Sequence, residues 1–274
     1  MCSDQKTNKP IDIKDFNRIR HRIILDDIHR FLKVPARKRK SAERCHGKSL
    51  LEPAVFESYK HWDNPWAISH AGLISGMQVL DCGSGRGVLQ FYLASKGVDV
   101  YSIDIHHNRS KSVVRLRNFL RKFGVSYTID PAVVHKRLNR KYKVQVKFRQ
   151  ESAASLSFEP DFFDRIFSIS VIEHMNDQTI QTSMREMERV LRPGGLLLLT
   201  FDFHLYPDDS IIGFTEDDFK RKVLHNCSLI IAGNEPDFSI PDWESYIREV
   251  NSFFRTKNPN TSYGVVLKKP LHSP

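Results

Sequence analysis

Cysteine and long apolar segments are both scarce in this sequence of 274 residues. Cys2, Cys45, Cys82 and Cys227 are far apart in the chain and form no CxxC pair, so their spacing gives no sign of a disulfide framework. No apolar run approaches the roughly 20 residues that a membrane-spanning helix needs. The start of the chain is polar and lacks the apolar core of a secretory signal. We therefore expect a protein of the reducing cytoplasm.

Acidic residues are almost absent from one segment of the chain. Residues 107–150 contain 13 Lys and Arg and a single acid, Asp130, whereas the whole chain has a formal net charge of +10. Residues 1–60 are also basic, with 15 Lys and Arg against 8 Asp and Glu, and the remaining segments are mildly acidic. A negatively charged partner is expected to meet the two basic segments.

Hydrophobic periodicity predicts an α/β protein. Residues 12–33 have apolar side chains at helical spacing and predict an amphipathic helix. From Val79 onward, short apolar runs alternate with longer amphipathic stretches, which is the pattern of βαβ units. The predicted strands are 77–81, 98–103, 144–148, 165–170, 196–201, 228–232 and 264–268. We predict a doubly wound, mostly parallel seven-stranded sheet in residues 61–274, preceded by a basic helical extension, residues 1–60.

The segment VLDCGSGRG, residues 79–87, joins a predicted strand to a predicted helix. Its three glycines allow a sharp turn and the close approach of a ligand to the backbone. A dinucleotide fingerprint would have its third glycine at position 88, which is Val88, so a nicotinamide cofactor fits less well. The next predicted strand leads to Asp104 at the same sheet edge, where a carboxylate can accept hydrogen bonds from both hydroxyls of a ribose. Together the loop and the acid predict a cofactor that contains a nucleoside.

Five segments in a fixed order resemble the class I S-adenosylmethionine-dependent methyltransferases, particularly the branch that includes enzymes of ubiquinone and menaquinone biosynthesis. These segments are residues 79–87, Asp104, 148–158, 162–175 and 184–201. The resemblance implies a Rossmann-like methyltransferase fold and S-adenosylmethionine as the cofactor. The cofactor-binding residues that it implies are Asp81, Gly83, Gly85, Gly87, Asp104, Ile105, Glu151, Ser152 and Ser168.

Within that set, the resemblance assigns Asp81 and the glycines to the methionine side of the cofactor, Asp104 to the ribose, and Glu151 with Ser152 to the adenine ring. Gln150 and Glu151 stand where this branch usually has Gly and Asp. The stretch between Asp104 and Glu151 is also longer than is usual in the branch. We therefore predict a basic insertion at about residues 125–143, before the third strand of the domain.

Three polar residues at the ends of predicted strands are expected to act on the methyl acceptor. His174 follows the fourth strand of the domain, and a histidine is suited to remove a proton from a hydroxyl group. Asp202 and His204 follow the fifth strand and could orient the acceptor or support His174. Glu173 could equally be structural. The N/D-P-P-Y/F quartet of enzymes that methylate exocyclic amines of bases does not follow the fourth strand.

An aromatic cluster and several histidines have more than one interpretation. Trp62, Asp63 and Trp66 could form a lid over the cofactor, although tryptophans pack in a core by default. No metal is predicted, because the histidines have no metal-ligand spacing with cysteines or carboxylates. These histidines are His61, His70, His106 and His107.

The basic segments leave two kinds of partner open. An anionic small molecule or glycan is one acceptor that they could recruit. RNA is the other, because a basic stripe with Tyr127 and Tyr142 would suit a phosphate backbone. We expect a methyltransferase that acts on a hydroxyl group of a small molecule or glycan. An RNA methyltransferase and a non-catalytic S-adenosylmethionine-binding protein are the alternatives.

Overall fold

A computed structural model describes residues 6–33, 59–85, 87–105, 131–208, 210–254 and 256–271. Several sequence predictions lie outside the described residues. They concern His106, His107, Tyr127, the basic stretch 107–130 and the first part of the predicted insertion. Within the described ranges, every helix is too short or too polar to cross a lipid bilayer.

The fold is an α/β sandwich around one mixed sheet. Its strands are β1 (Lys9–Pro10), β2 (Gln78–Cys82), β3 (Asp99–Ile103), β4 (Val146–Arg149), β5 (Phe163–Ile169), β6 (Leu191–Phe203), β7 (Ile230–Ile231) and β8 (Thr261–Lys268). Its helices are α1 (Ile19–Phe31), α2 (Lys60–Ala71), α3 (Leu89–Ala94), α4 (Pro131–Tyr142), α5 (Asp177–Val190), α6 (Glu216–Asp218) and α7 (Trp243–Phe254). Short 3-10 or π-helical turns cover Ile13–Asn17, Ile172–His174, Phe219–Val223 and Leu224–Asn226.

The strand order is β1-β8-β6-β5-β2-β3-β4, and β7 also pairs with β8. Strands β2 to β6 are parallel, whereas β8 runs antiparallel to β6. The predicted doubly wound, mostly parallel sheet is therefore confirmed, and each of the seven predicted strands is present. The described chain adds an eighth strand, β1, which has only two residues and therefore left no periodic signal in the sequence.

Two apolar layers cover the faces of the sheet. Phe163, Phe201 and Tyr263 belong to one layer and are fully buried. Trp66 and Leu198 belong to the other, which α2, α3 and α4 help to build. Parallel strands with both faces covered are apolar at successive positions, and this explains runs such as LLLL in β6.

The N-terminal segment is tied to the sheet and to α2 by buried polar contacts. Strand β1 pairs with β8, and the Lys9 ammonium donates to Asp15 Oδ1 at 2.7 Å. The other oxygen of Asp15 accepts from Trp62 Nε1 at 2.8 Å. The single helix predicted over residues 12–33 is divided at Arg18, whose extended backbone (φ −75°, ψ 132°) separates a 3-10 turn from α1.

The two tryptophans of α2 belong to the core and not to a lid. Trp62 and Trp66 are 0% and 2% exposed and stack on each other with ring centroids 5.6 Å apart. Trp66 Nε1 donates to the carbonyl oxygen of Thr7 at 2.9 Å, so both indoles are anchored by the N-terminal segment. The lid interpretation of these residues is wrong, because their rings face β8 and residues 6–15.

The domain boundary predicted at residue 60 stays a prediction.

Asp15→Asn is expected to lower the free energy of unfolding by about 3–5 kcal/mol, because it leaves the buried Lys9 ammonium without its main counter-charge. Burial already lowers the pKa of Lys9. Asp12→Asn is the matched control. Asp12 is more exposed and its ion pairs are longer, so a loss of about 1 kcal/mol or less is expected. Urea denaturation measures both, and equal losses in the two variants would contradict this interpretation.

Candidate active site

The glycine loop lies at the carboxyl end of β2 and is fastened to the end of β3. The N–H groups of Gly83 and Ser84 both donate to the carbonyl oxygen of Ile103 at 3.0 Å. Gly83 has φ +75°, and a Cβ at this position would collide with the side chain of Val171. A glycine is therefore needed at position 83 for both its conformation and its close contact.

Asp104 contacts the loop directly. Its Oδ2 accepts a hydrogen bond of 2.7 Å from the N–H of Gly85, which itself has φ +52°. Beneath this contact, the buried hydroxyl of Ser102 donates to Ser84 Oγ at 2.7 Å. The acid that follows β3 is thus held beside the glycine loop, where the sequence predicted the two to meet.

A cavity of about 260 Å³ opens beside the loop. One wall consists of Asp81 and residues 83–85 and 87–89. Lys60 and Asn64 of α2 form a second wall, and Ile169 and Ser170 at the end of β5 form a third. Its volume lies near the lower limit of about 300–1,000 Å³ that small-molecule sites usually have.

Ser170 directly follows the carboxyl end of β5 and has a strained backbone conformation. Its φ is +52°, which is uncommon for a residue other than glycine. The conformation is stabilised by a 2.9 Å hydrogen bond from its N–H to the carbonyl oxygen of Thr200, and its hydroxyl lies 3.4 Å from Asp63 Oδ2. Strain of this kind persists where the surroundings determine it, and such places are often ligand sites.

Among the described residues, Lys60 is the basic residue that lines the cavity. Its Nζ donates to the carbonyl oxygen of Ile169 at 2.9 Å and lies 3.5 Å from Asp63 Oδ2. Asp63 is fully buried and accepts a 2.6 Å hydrogen bond from the hydroxyl of Ser262 in β8. Burial raises the pKa of Asp63, and Lys60 opposes the rise.

Two further carboxyl groups at this sheet edge are buried and carry raised pKa values. Burial raises the pKa of Asp81 to about 7, with a further contribution from the charge of Asp104. Burial and the nearby charge of Asp202 raise the pKa of Glu173 to about 8. Glu173 Oε1 accepts from the Asp202 N–H at 3.2 Å, whereas its Oε2 is buried without a hydrogen-bond partner among the described residues. Within the part of the chain that the structure describes, these acids outnumber the one positive charge that Lys60 supplies.

The three residues predicted to act on the acceptor lie in different environments. His174 is exposed at the end of the turn Ile172–His174. His204 is buried, and its Nδ1 lies 2.6 Å from the carbonyl oxygen of Tyr206, so that nitrogen carries the proton in this contact. Asp202 Oδ2 accepts from Asn260 Nδ2 at 3.4 Å. Asp202 is coupled to the buried acids through Glu173.

Glu151 and Ser152, which were predicted to contact the adenine ring, form hydrogen bonds with residues that are close to them in the chain. Glu151 accepts from the N–H and hydroxyl of Ser157 at 3.1 and 2.5 Å, and Ser152 Oγ accepts from the Ala154 N–H at 3.2 Å. Ile105 is 54% exposed. Ser168 lies inside the sheet one residue before the cavity wall, where its buried hydroxyl has no hydrogen-bond partner among the described residues. The structure does not bring Ser168 into the cavity.

Sequence reasoning missed Lys60, Asn64 and Ser170 as cavity residues. Lys60 and Asn64 come from a helix that precedes the glycine loop, and no spacing in the sequence shows which face of that helix meets β2 and β5. Ser170 follows an apolar strand and gives no signal until its backbone conformation is seen. Among the described residues, no group of three or more His, Cys, Asp or Glu is arranged to hold a metal ion.

Asp81→Asn is expected to change how stability depends on pH. A carboxyl whose pKa is raised on folding favours the folded state while it is protonated, and this contribution is lost as the pH rises from about 4 through about 7. The ligand-free wild type should therefore lose roughly 2–4 kcal/mol over this window, a loss that the Asn variant avoids. Urea denaturation at several pH values measures the difference. The exposed Asp217→Asn is the control, and a parallel change in both variants would contradict the burial of Asp81.

Comparisons with known proteins point to one family. Residues 80–199 match the family described as a methyltransferase domain. Methyltransferase GfsG of Streptomyces halstedii is 31% identical over 160 residues, which are 58% of this chain and 47% of that protein. Ubiquinone biosynthesis O-methyltransferase of Pseudomonas aeruginosa is 29% identical over 167 residues, covering 54% of this chain and 61% of that protein. The chain thus spans about half to three fifths of these curated relatives.

Solved structures support the same fold. The YcgJ protein of Bacillus subtilis has a TM-score of 0.51 at 19% identity, covering 77% of this chain and 99% of that chain. The cyclase SpnF has a TM-score of 0.53 at 15% identity, covering 93% of this chain and 98% of that chain. At these identities the likeness shows the fold alone. The sequence matches, the fold and the glycine loop with Asp104 together support a class I S-adenosylmethionine-dependent methyltransferase domain of type 11 in residues 80–199, with S-adenosylmethionine as its cofactor.

Proposed function

We propose that the chain transfers a methyl group from S-adenosylmethionine to a hydroxyl group of a small molecule. One observation carries the proposal. At the sheet edge that holds the glycine loop, the described buried carboxyl groups outnumber the positive charge that Lys60 supplies. The cofactor has a sulfonium and an ammonium against one carboxylate, so a site rich in carboxylates favours it electrostatically. When bound, it supplies an already activated methyl group.

The described residues fit this cofactor. Gly85 leaves room beside the loop backbone, since a Cβ there would have only ordinary contacts, the nearest atom being Asp104 Oδ2 at 3.8 Å. Asp104 can accept from ribose hydroxyls while Gly85 holds its orientation. Lys60 offers a positive charge to the cofactor carboxylate, and Asp81 offers a negative charge to the ammonium.

Glu173 is better placed than His174 to receive a proton from an acceptor hydroxyl. Its Oε2 is buried without a partner among the described residues, and it interacts electrostatically with Lys60 on the cavity wall. A raised pKa brings a carboxylate close to the working pH, which suits a general base. His174 is exposed to water, and we assign it to the outer side of the acceptor site.

The acceptor hydroxyl belongs to a neutral or cationic part of the molecule in this proposal. Asp63, Asp81 and Glu173 would repel an anion next to the transferred methyl group, so the cavity does not favour the anionic acceptor that the charge distribution suggested. A relative named as a ubiquinone biosynthesis O-methyltransferase supports an oxygen acceptor. Methyl transfer to a glycan or to RNA, and cofactor binding without transfer, are the alternative outcomes of the labelling experiment.

Asp104→Ala is expected to weaken the binding of S-adenosylmethionine and of its demethylated product by about 1–3 kcal/mol, because hydrogen bonds to a charged acceptor are lost. Isothermal titration calorimetry measures the change. Asp99→Ala is the matched control, since Asp99 is an exposed acid at the other end of the same strand. Unchanged affinity in Asp104→Ala, or tighter binding of NAD by the wild type, would contradict the proposed cofactor site.

Glu173→Gln is expected to reduce methyl transfer by about 10²–10⁴-fold while cofactor affinity changes little. His174→Ala should cost much less. Because Glu173 must lose its proton to act as a base, the wild-type rate should rise with pH up to about 8. The measurement incubates the protein with S-adenosylmethionine labelled in the methyl group and with fractionated cell extract.

The fraction that takes up the label separates the candidate functions. Label in the small-molecule fraction that depends on Glu173 supports the proposal. Label in glycan, RNA or protein would name a different acceptor. Tight cofactor binding with no labelled fraction at any pH would favour a non-catalytic binding protein, and a Glu173→Gln variant with normal turnover would exclude Glu173 as the base.

A further inference from the structure

Asp63 is a buried acid directly behind the wall of the cavity. Its side chain is fully buried and does not line the cavity, whereas Lys60 and Asn64 of the same helix do. Lys60 precedes Asp63 by three residues and Asn64 by four, so these side chains are neighbours on one side of α2. Asp63 therefore meets a ligand in the cavity only through the residues that it contacts.

The carboxylate of Asp63 is reached by side chains from three elements. The hydroxyl of Ser262 in β8 donates to Oδ1 at 2.6 Å. Oδ2 lies 3.4 Å from the hydroxyl of Ser170, which follows β5, and 3.5 Å from the Lys60 ammonium of α2. Lys60 and Ser170 line the cavity, whereas Ser262 is fully buried in the sheet. Asp63 thus connects two lining side chains to a central strand.

The Lys60 ammonium is oriented by two acceptors. Its Nζ donates to the carbonyl oxygen of Ile169 at 2.9 Å and to the carboxylate of Asp63 on a second side. An ammonium group has three N–H donors, so these contacts leave the third donor for the cavity that Lys60 lines. Since the stem of a lysine is flexible, the two fixed acceptors determine where that third donor points.

The charge of Asp63 is needed for the lysine rather than for the serines. A neutral amide at this position would also accept hydrogen bonds from Ser170 and Ser262, and its burial would cost less. Burial raises the pKa of Asp63 because the ionised form is poorly solvated there, and Lys60 opposes the rise. What a carboxylate adds to an amide is the charge-assisted contact with the ammonium. Fastening α2 to the sheet would not require that charge.

We propose that Asp63 is a positioning residue for the amino-acid end of the cofactor. It directs the Lys60 ammonium and the Ser170 hydroxyl into the cavity and does not touch the ligand itself. The inference rests on the proposed role of Lys60 toward the cofactor carboxylate. It adds that the orientation of the ammonium, and not only its charge, determines affinity at that end of the cofactor.

The test compares two ligands that share the thioadenosine part and differ at the amino-acid end. S-adenosylhomocysteine carries an ammonium and a carboxylate there, whereas methylthioadenosine has only a methyl group. Neither has a sulfonium, so a change of charge at position 63 does not act on a net cation. Isothermal titration calorimetry measures both affinities. Lys60→Met should weaken S-adenosylhomocysteine about tenfold or more and methylthioadenosine by less than about twofold.

Asp63→Asn keeps the size of the side chain and removes its charge. We expect S-adenosylhomocysteine to bind about three- to tenfold more weakly and methylthioadenosine to change by less than about twofold. In the Lys60→Met background, the same substitution should change the affinity for S-adenosylhomocysteine by less than about twofold. The reason is that a residue acting through Lys60 has no effect once the ammonium is gone.

Asp164→Asn is the matched control. Asp164 lies at the other end of β5 from Ser170, where it accepts a 2.7 Å hydrogen bond from the N–H of Gln78. Both affinities should stay within about twofold of the wild type in this variant.

Ser262→Ala provides a second variant in case Asp63→Asn does not fold. It removes the 2.6 Å hydrogen bond to Asp63 from a residue that does not line the cavity. S-adenosylhomocysteine should bind about two- to fourfold more weakly, because the carboxylate is less firmly held. Unchanged binding of methylthioadenosine verifies that the nucleoside part of the site is folded.

The outcomes separate this inference from the assignment on which it rests. Equal losses for the two ligands in Asp63→Asn would make Asp63 a purely structural residue of α2. Tighter binding of S-adenosylhomocysteine would show that Asp63 competes with the ligand for Lys60. A selective loss in Lys60→Met without one in Asp63→Asn would overturn the positioning role alone. Equal effects of Lys60→Met on both ligands would contradict the proposed contact of Lys60 with the cofactor carboxylate, and the inference with it.

Discussion

The site depends on an imbalance of charge at the carboxyl edge of the sheet. Asp63, Asp81 and Glu173 are buried there beside one lysine, Lys60, and burial raises the pKa of each acid. In the ligand-free chain, the raised pKa values of Asp81 and Glu173 allow these two groups to hold protons, and this reduces the repulsion among the acids. A cation in the cavity would favour their ionised forms instead, so binding energy and protonation are linked. A cofactor with two positive charges and one negative charge matches this arrangement.

The imbalance is maintained by elements far from the glycine loop. Lys60 and Asp63 are carried by α2, whose position is fixed by its two buried tryptophans. Trp62 is hydrogen-bonded to Asp15, which in turn pairs with Lys9 of the edge strand β1. The N-terminal segment thus acts on the site through the helix that it anchors, although residues 6–33 contribute no lining residue to the cavity.

Much of the fold was predictable because its strands are buried on both faces. Such strands appear in the sequence as short apolar runs, and all seven were predicted with boundaries that differ by a few residues. The meeting of Asp104 with the glycine loop was also predictable, since adjacent parallel strands bring their carboxyl ends to one edge. Lys60 and Ser170 were not, because their roles depend on the orientation of a helix and on a backbone conformation that sequence patterns do not show. His174 was predicted as the base from its position after β5, and the structure draws attention to its buried neighbour Glu173.

Proton release on cofactor binding tests this account most directly. Calorimetry of S-adenosylmethionine binding at about pH 6.5–7, in buffers with different ionisation enthalpies, gives the number of protons exchanged. We predict the release of roughly 0.5–0.8 of a proton, since a bound cation ionises Asp81, whose pKa of about 7 leaves it half or more protonated in this pH range, and a smaller release for the demethylated product, which lacks the sulfonium charge. Release should fall in the Asp81→Asn variant. Zero exchange or net proton uptake with S-adenosylmethionine would contradict the claim that buried carboxyl groups hold the cofactor.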